Sequence, residues 1–203
     1  LGDLIGLLRV CVSLVKAHKL ASDALHGAAA AQGLPTPLVV VASNYIWFAT
    51  KTSPWRQPLS ATIAYVLNHV YNYAITDVCL YGRLPNWPVP MDLISAIFGL
   101  RPLVRSCAHS VNAIGVNHYF RLYVDVFRTS TPIMTTSGSL VIQLPLGITL
   151  RAAADGRFEQ SEMGWDLTPS SLRRVLRVIT KRYRFSPDRP VPIHITESGC
   201  CAD

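Results

Sequence analysis

Glu197 is the residue best placed to do chemistry. The chain has three glutamates, at 159, 162 and 197, and only the last closes an apolar alternation, running from Val191 to Thr196, just ahead of a small, flexible Ser198-Gly199 pair. A carboxylate at the C-terminal lip of a strand can act as a catalyst or merely cap the strand, so its neighbours decide. Two other strand-like runs also end in polar groups. Leu38-Val39-Val40-Val41-Ala42 is β-branched, apolar on both faces and leads to Asn44, while Asn112 to Phe120 carries Asn117 and Tyr119 near its end. Polar residues gathered at one end of parallel strands are how an α/β barrel builds a site.

The elements that must position these residues alternate between helix and strand. Leu7, Leu8, Cys11, Leu14, Val15, His18, Ala21 and Leu25 recur at helical spacing and predict a helix over 4–31, ended by Gly33, Pro35 and Pro37. A second helix is expected over about 60–76, with Ile63, Val66, Leu67, Val70, Tyr73 and Ala74 on one face, closed by the turn Tyr81-Gly82-Arg83-Leu84-Pro85. Residues 85–105 are Pro-rich and read as a helix and loop insertion. Within 125–160 the pattern is weak, with a short strand at Ser139–Leu144 and a loop at 154–157. Thr168-Pro169 gives an N-cap followed by proline at the first helical position. The helix it opens puts Leu172, Val175, Leu176, Ile179 and Tyr183 on one face.

Composition narrows the function classes. With 50% apolar and 15% charged residues, 203 residues can bury a sizeable core and do not read as disordered. The net charge of +7 invites a nucleic-acid reading, yet the cations gather only at Arg173, Arg174, Arg177, Lys181, Arg182 and Arg184. The solvated face of an amphipathic helix explains that cluster, with cations favoured towards its C-terminal end. Five cysteines (11, 79, 107, 200 and 201) are an odd number without metal-ligand spacing, so neither a disulfide framework nor a metal site is expected, and a reducing, cytoplasmic compartment is preferred. Cys200 and Cys201 are expected to be inert, because a carboxylate beside a thiol disfavours thiolate. The apolar N-terminus is broken by Asp3 and Arg9 and is too short to span a bilayer. It lacks an initiating Met, as a chain starting inside a larger reading frame would.

Four blocks of residues carry a family resemblance. Pro192-Ile-His-Ile-Thr-Glu-Ser-Gly199 resembles the I-T-E-N-G nucleophile signature of glycoside hydrolase family one, with Ser198 where Asn is usual. Ala113-Ile-Gly-Val-Asn-His-Tyr119 is similar to the family's D-F-I-G-x-N-Y-Y strand, and Glu162-Met-Gly-Trp165 with Pro169 and Leu172 to its D-M-G-W-x-x-x-P-x-x-L stretch. Tyr81-Gly-Arg-Leu-Pro85 resembles the F-G-D-Y-P turn, and His18 with its helix weakly resembles H-x-x-x-x-A-H-A. The resemblance implies a retaining β-glycosidase on a (β/α)₈ barrel that needs no cofactor and takes a carbohydrate of β-glucoside type. Glu197 would be the nucleophile, Tyr119 would hydrogen-bond it and hold its oxygen in place, and Asn117 would support the same site. Asn44 is a candidate for the outer cleft. Trp165 is expected to pack, because it precedes a helix and does not follow a strand.

The chain departs from that family in one decisive respect. Retention needs a second carboxylate about 5 to 5.5 Å from the nucleophile. The T-x-N-E-P motif that would carry it is absent from the sequence. Three strands in this length make roughly 68 residues per strand, so eight would need about 540, against about 250 for a typical barrel. The expected architecture is therefore an incomplete (β/α)₈ barrel of three to four parallel strands with flanking helices, one domain over 1–203. Its open sheet edges would be covered by the missing part of the barrel or by self-association. A catalytically inactive remnant and, further off, a basic module for nucleic acid or an acidic partner are the alternatives; neither a nucleic-acid nor a membrane partner is expected.

Overall fold

The computed structural model describes residues 2–51, 53–86, 89–126, 140–144, 146–153, 158–183 and 191–199. Cys200, Cys201, Arg184 and the loop 154–157 lie outside the described residues. The described residues form five helices and seven strands: α1 (Gly2–Ala31), β1 (Val40–Asn44), β2 (Trp47–Ala49), α2 (Pro58–Tyr81), α3 (Met91–Ile97), α4 (Arg101–Ser106), β3 (Ala113–His118), β4 (Arg121–Val126), β5 (Val141–Leu144), β6 (Ile148–Arg151), α5 (Pro169–Arg182) and β7 (Ile193–Ser198). One sheet has the order β1-β3-β7 and the other the order β2-β4-β6-β5. The chain divides into two compact units. One comprises 1–43, 73–115 and 191–194, the other 44–72, 116–190 and 195–203.

In the first unit, α1 ends as its sequence dictates. Gly33 adopts φ +64°, its N–H reaches the Ala30 carbonyl, and the Leu34 N–H reaches Ala29, the paired bonds of a Schellman cap. Val78, Val104 and Cys107 form a small core with Val15, Leu84 and Leu103. His18 Nε2 lies 3.1 Å from Ser110 Oγ, and Ser22 Oγ donates to the Ser110 carbonyl, which ties α1 to the segment entering β3. The turn after α2 needs its glycine twice over. Gly82 has φ +63°, and a Cβ there would lie 2.8 Å from Ala108 Cβ. At Gly115 a Cβ would stand 2.8 Å from Ala42 Cα and 2.9 Å from Val40 Cγ1, so β1 and β3 approach closely only because this position has no side chain. Gly115→Ala is expected to lower stability by about 3 kcal/mol, since backbone must move to admit the methyl. Urea unfolding followed by circular dichroism tests this, and an unchanged midpoint would show that the contact is slack.

Among the described residues the second unit holds the larger of two core clusters. Ile46, Phe48, Ala64, Phe120, Leu122, Val124, Leu150 and Ala152 are buried together, with Trp165 packed against them. The expectation for Trp165 is met: its ring lies 4.4 Å from that of Phe120. The strand read over 112–120 ends at His118. The chain breaks at Tyr119-Phe120 and resumes as β4, which pairs in parallel with β2 (Trp47↔Arg121) and antiparallel with β6 (Tyr123↔Arg151). β4 alternates strictly, with Leu122, Val124 and Val126 towards the core and Arg121, Tyr123 and Asp125 on the opposite face. On that face Lys51 Nζ lies 3.7 Å from Asp125 Oδ2, the two side chains being nearly buried. Of the short strand expected at Ser139–Leu144, Val141–Leu144 form β5, and Ser139 lies outside the described residues.

α5 has the amphipathic form its sequence predicts. Ser171, Val175, Ile179 and Tyr183 are buried, while Arg173, Arg174, Arg177, Lys181 and Arg182 are exposed. Pro169 is at the first helical position, but Thr168 makes no side-chain cap. Its carbonyl instead accepts from the Ser171 N–H, with Ser171 Oγ 2.7 Å away. Among the described residues no helix is long and apolar enough to cross a membrane.

Candidate active site

β1 and β3 run parallel, because Asn112 donates to the Val39 carbonyl and, further along both, Tyr45 donates to the Asn117 carbonyl. β3 and β7 share that direction: Ile114 donates to the Pro192 carbonyl at one end, and the side chains of Asn117 and Thr196 meet at the other. The ends of β3 and β7 therefore carry their polar residues side by side. The Tyr119 hydroxyl donates to Glu197 Oε2. Thr196 Oγ1 donates to Asn117 Oδ1 at 2.5 Å. Tyr119 is 37% exposed and Glu197 is exposed. β7 has five exposed residues among its six, so the carboxylate opens to solvent and is not packed against apolar neighbours. Asn44 ends β1 with an exposed side chain.

The hydrogen bond to Glu197, above all, raises the Tyr119 phenol from its ordinary value of 10, with desolvation and the carboxylate's charge adding to it. A phenol that stays protonated stays a donor, which suits it to hold one carboxylate oxygen and leave the other free. This arrangement can present a fixed, solvent-facing carboxylate to an electrophilic carbon. Glu159 and Glu162 are exposed in the segment before α5.

Two partners of these residues escape a reading of the sequence. Thr196 engages Asn117, a contact signalled only by their positions at neighbouring strand ends. His118, between Asn117 and Tyr119, turns the other way and is 3% exposed. Its Nδ1 donates to the Tyr45 carbonyl at 2.6 Å, and its Nε2 lies 2.7 Å from Ser171 Oγ. Burial pulls this imidazole below its ordinary 6.5, and the bond to Tyr45 opposes that only in part. A folded-state value below the unfolded one means that the unfolded chain takes up the proton first, so the contribution is present above pH 6.5 and is lost as pH falls further. His18, also lowered by burial, acts in the same direction. The urea midpoint is expected to fall between pH 7.5 and pH 5; a midpoint that rises on acidification would contradict a neutral, buried His118.

Burial raises the Cys79 thiol to about 12, and Cys107 is raised by the same cause. Among the described residues no group of three or more His, Cys, Asp or Glu could hold a metal ion.

Known proteins share a sequence pattern and a fold with this chain. Residues 103–203 match the model of Glycosyl hydrolase family 1. No curated protein sequence matches the chain. Among solved structures, the fold resembles the family 1 β-glucosidase of Exiguobacterium antarcticum, with a TM-score of 0.63 at 19% identity over 97% of this chain and 38% of that one. It resembles the Thermotoga maritima family 1 β-glucosidase with a TM-score of 0.62 at 14% identity, over 93% and 36% of the two chains. For the rice Os3BGlu6 β-glucosidase the TM-score is 0.61 at 17% identity, over 92% and 37%. The T. maritima enzyme has been solved with deoxynojirimycin, and a variant of the rice enzyme in a covalent complex with Glc. The chain spans a little over a third of the length of these structures. Its second half carries the family 1 pattern, and its α/β fold of parallel strands and helices is part of the barrel they share.

Proposed function

We propose, for a chain that carries part of a glycosyl hydrolase family 1 barrel, a role as the nucleophile-bearing portion of a retaining β-glycosidase acting on β-glucoside-like substrates. Residues 1–203 are read as one partial barrel domain. The observation that carries this reading is the Tyr119 hydroxyl bonded to an exposed Glu197 at the ends of adjoining strands. Glu197 Oε1 attacks the anomeric carbon, forming a C–O ester bond as the bond to the leaving oxygen breaks and that oxygen takes up a proton. Water then attacks the same carbon, the ester bond to Glu197 breaks, and the water's proton is lost to solvent or a base. Two inversions give net retention. Tyr119 steers the nucleophile, Asn117, held through its carbonyl by Thr196, offers its amide N–H to a sugar hydroxyl, and Asn44 lines the outer cleft. Sugar-like inhibitors and glucose occupy the similar enzymes, which supports a carbohydrate ligand here. A reducing, cytoplasmic compartment suits Cys11, Cys79 and Cys107, which are unpaired among the described residues.

The sequence lacks the T-x-N-E-P segment, so the proton for the leaving group must come from water or from another polypeptide segment. This same observation favours a second reading, a catalytically inactive remnant. A dinitrophenyl β-glucoside separates the two, because its leaving group departs with little acid assistance. The glycosidase reading expects slow release of dinitrophenolate with β-glucose formed first by NMR. No release above the background rate from folded chain would favour the remnant.

A further inference from the structure

β3 leaves one sheet at His118, and the chain joins the other at Arg121, so the direction taken by Tyr119 depends on what fixes this corner. Neither Gly nor Pro occupies it. Three buried polar groups do the fixing. The Tyr45 N–H donates to the Asn117 carbonyl at 2.8 Å, the Tyr45 carbonyl accepts from His118 Nδ1 at 2.6 Å, and Ser171 Oγ in the first turn of α5 meets His118 Nε2 at 2.7 Å. Tyr45, His118 and Ser171 are 1%, 3% and 2% exposed, so these bonds exchange little with water.

Proton accounting gives the network a definite state. A carbonyl can only accept, so Nδ1 carries a proton. Ser171 Oγ lies 2.7 Å from both Nε2 and the Thr168 carbonyl, and its single proton serves one of them. With neutral His118 that proton goes to Nε2, and the Thr168 carbonyl keeps the Ser171 N–H at 2.8 Å. Every buried group then has a partner.

We propose that His118 is a positioning residue for the Tyr119–Glu197 pair, locking the β3 corner to the end of β1 and the first turn of α5 so that the phenol faces the carboxylate. Resting on the nucleophile role of Glu197, this inference adds what aims its partner. Packing alone would be met by any apolar residue of similar bulk. The ring's two nitrogens are what the corner uses, and because residues alternate along a strand, a bond made at 118 sets the opposite-facing 117 and 119 together.

His118→Phe and His118→Asn test this in the full chain with two readouts. The first is the Tyr119 ring titration, followed by ¹³C NMR. It is expected above 10 in the wild type, to fall back towards 10 in His118→Phe, and to stay raised in His118→Asn, whose amide N–H can still reach the Tyr45 carbonyl. The second is the rate of covalent labelling by a dinitrophenyl 2-deoxy-2-fluoro-β-glucoside at saturation, expected to drop about 10- to 100-fold in His118→Phe and to be largely restored in His118→Asn. If His118→Phe does not fold, Ser171→Ala, which removes one of the two bonds, carries the same readouts with smaller effects. A Tyr119 titration that ignores the Phe substitution, or an Asn variant as impaired as the Phe variant, overturns the proposal. If the wild type takes up no label while the Tyr119 titration still responds to the Phe variant, the glycosidase reading fails and the positioning role stands.

Discussion

Glu197→Gln is expected to cut the release of dinitrophenolate from an activated β-glucoside by on the order of 10⁴-fold or more, the scale on which removal of a covalent nucleophile acts. The amide oxygen is nearly isosteric with the carboxylate but carries too little charge to form the ester. Glu197 is exposed at the end of β7, so the substitution leaves the core untouched and the thermal midpoint should hold. Loss of the negative charge should also let the Tyr119 phenol fall back towards 10, because the bond to Glu197 is the first cause of its rise. Steady-state rates for wild type and variant, with the phenol titration alongside, check both parts. Equal rates would mean that dinitrophenolate release does not pass through this carboxylate.

The second large effect is on stability. β2 pairs with β4 on one side, while the side chains of α2 serve its other edge. Asn72 Oδ1 accepts the Ile46 N–H at 3.0 Å as its Nδ2 donates to the Ile46 carbonyl at 2.8 Å. One helical turn earlier Asn68 does the same for Phe48, at 3.1 and 2.7 Å, and also bonds the Ala64 carbonyl. Spaced four apart on one helix face, the two amides stand in for a neighbouring strand. Asn72→Leu removes two partners from buried backbone groups, each worth about 1–3 kcal/mol when orphaned, for a loss of about 2–6 kcal/mol. That is a large share of the roughly 5–15 kcal/mol that holds a domain folded, and the Asn68→Leu, Asn72→Leu double variant is expected not to fold. Asn72→Asp, which keeps the acceptor and loses the donor, should fall between wild type and Asn72→Leu. Urea unfolding measures the series, and an Asn72→Leu midpoint equal to the wild type's would show that the edge is satisfied without α2.

What the sequence made legible follows from where the controlling physics is local. α1, α2 and α5 could be read because apolar spacing, Gly33 and Pro169 act within a turn or two of themselves. β1, β3 and β7 could be read because β-branched runs bounded by polar residues need no distant partner to be recognised. The end of β3 could not be placed, since the chain stops pairing at His118 under a tertiary demand that residues 119 and 120 do not announce. β2, at three residues, owes its existence to Asn68 and Asn72 from a later helix. The Arg121 to Val126 alternation was open to reading, but the preceding strand obscured it. Thr168 illustrates a positional rule met without its usual bond: the residue stands at the helix start while Ser171 uses its carbonyl. At the site, Glu197, Asn117 and Tyr119 were legible as polar residues at strand ends and their roles only through likeness to a family pattern, while the Tyr119–Glu197 bond is a contact across 78 residues of sequence. The His118, Tyr45 and Ser171 network spans similar separations and left no local trace.

On the proposed function, the exposed carboxylate beside Tyr119 bonds covalently to a sugar. Its most direct measurement is peptide mass spectrometry of the folded wild-type chain after incubation with a dinitrophenyl 2-deoxy-2-fluoro-β-glucoside. The predicted result is a single fluoroglucosyl mass on a peptide containing residues 192–199, fragmenting to Glu197, and no such mass in Glu197→Gln. Folded chain that remains unlabelled, or that carries its label on any other residue, would contradict the account.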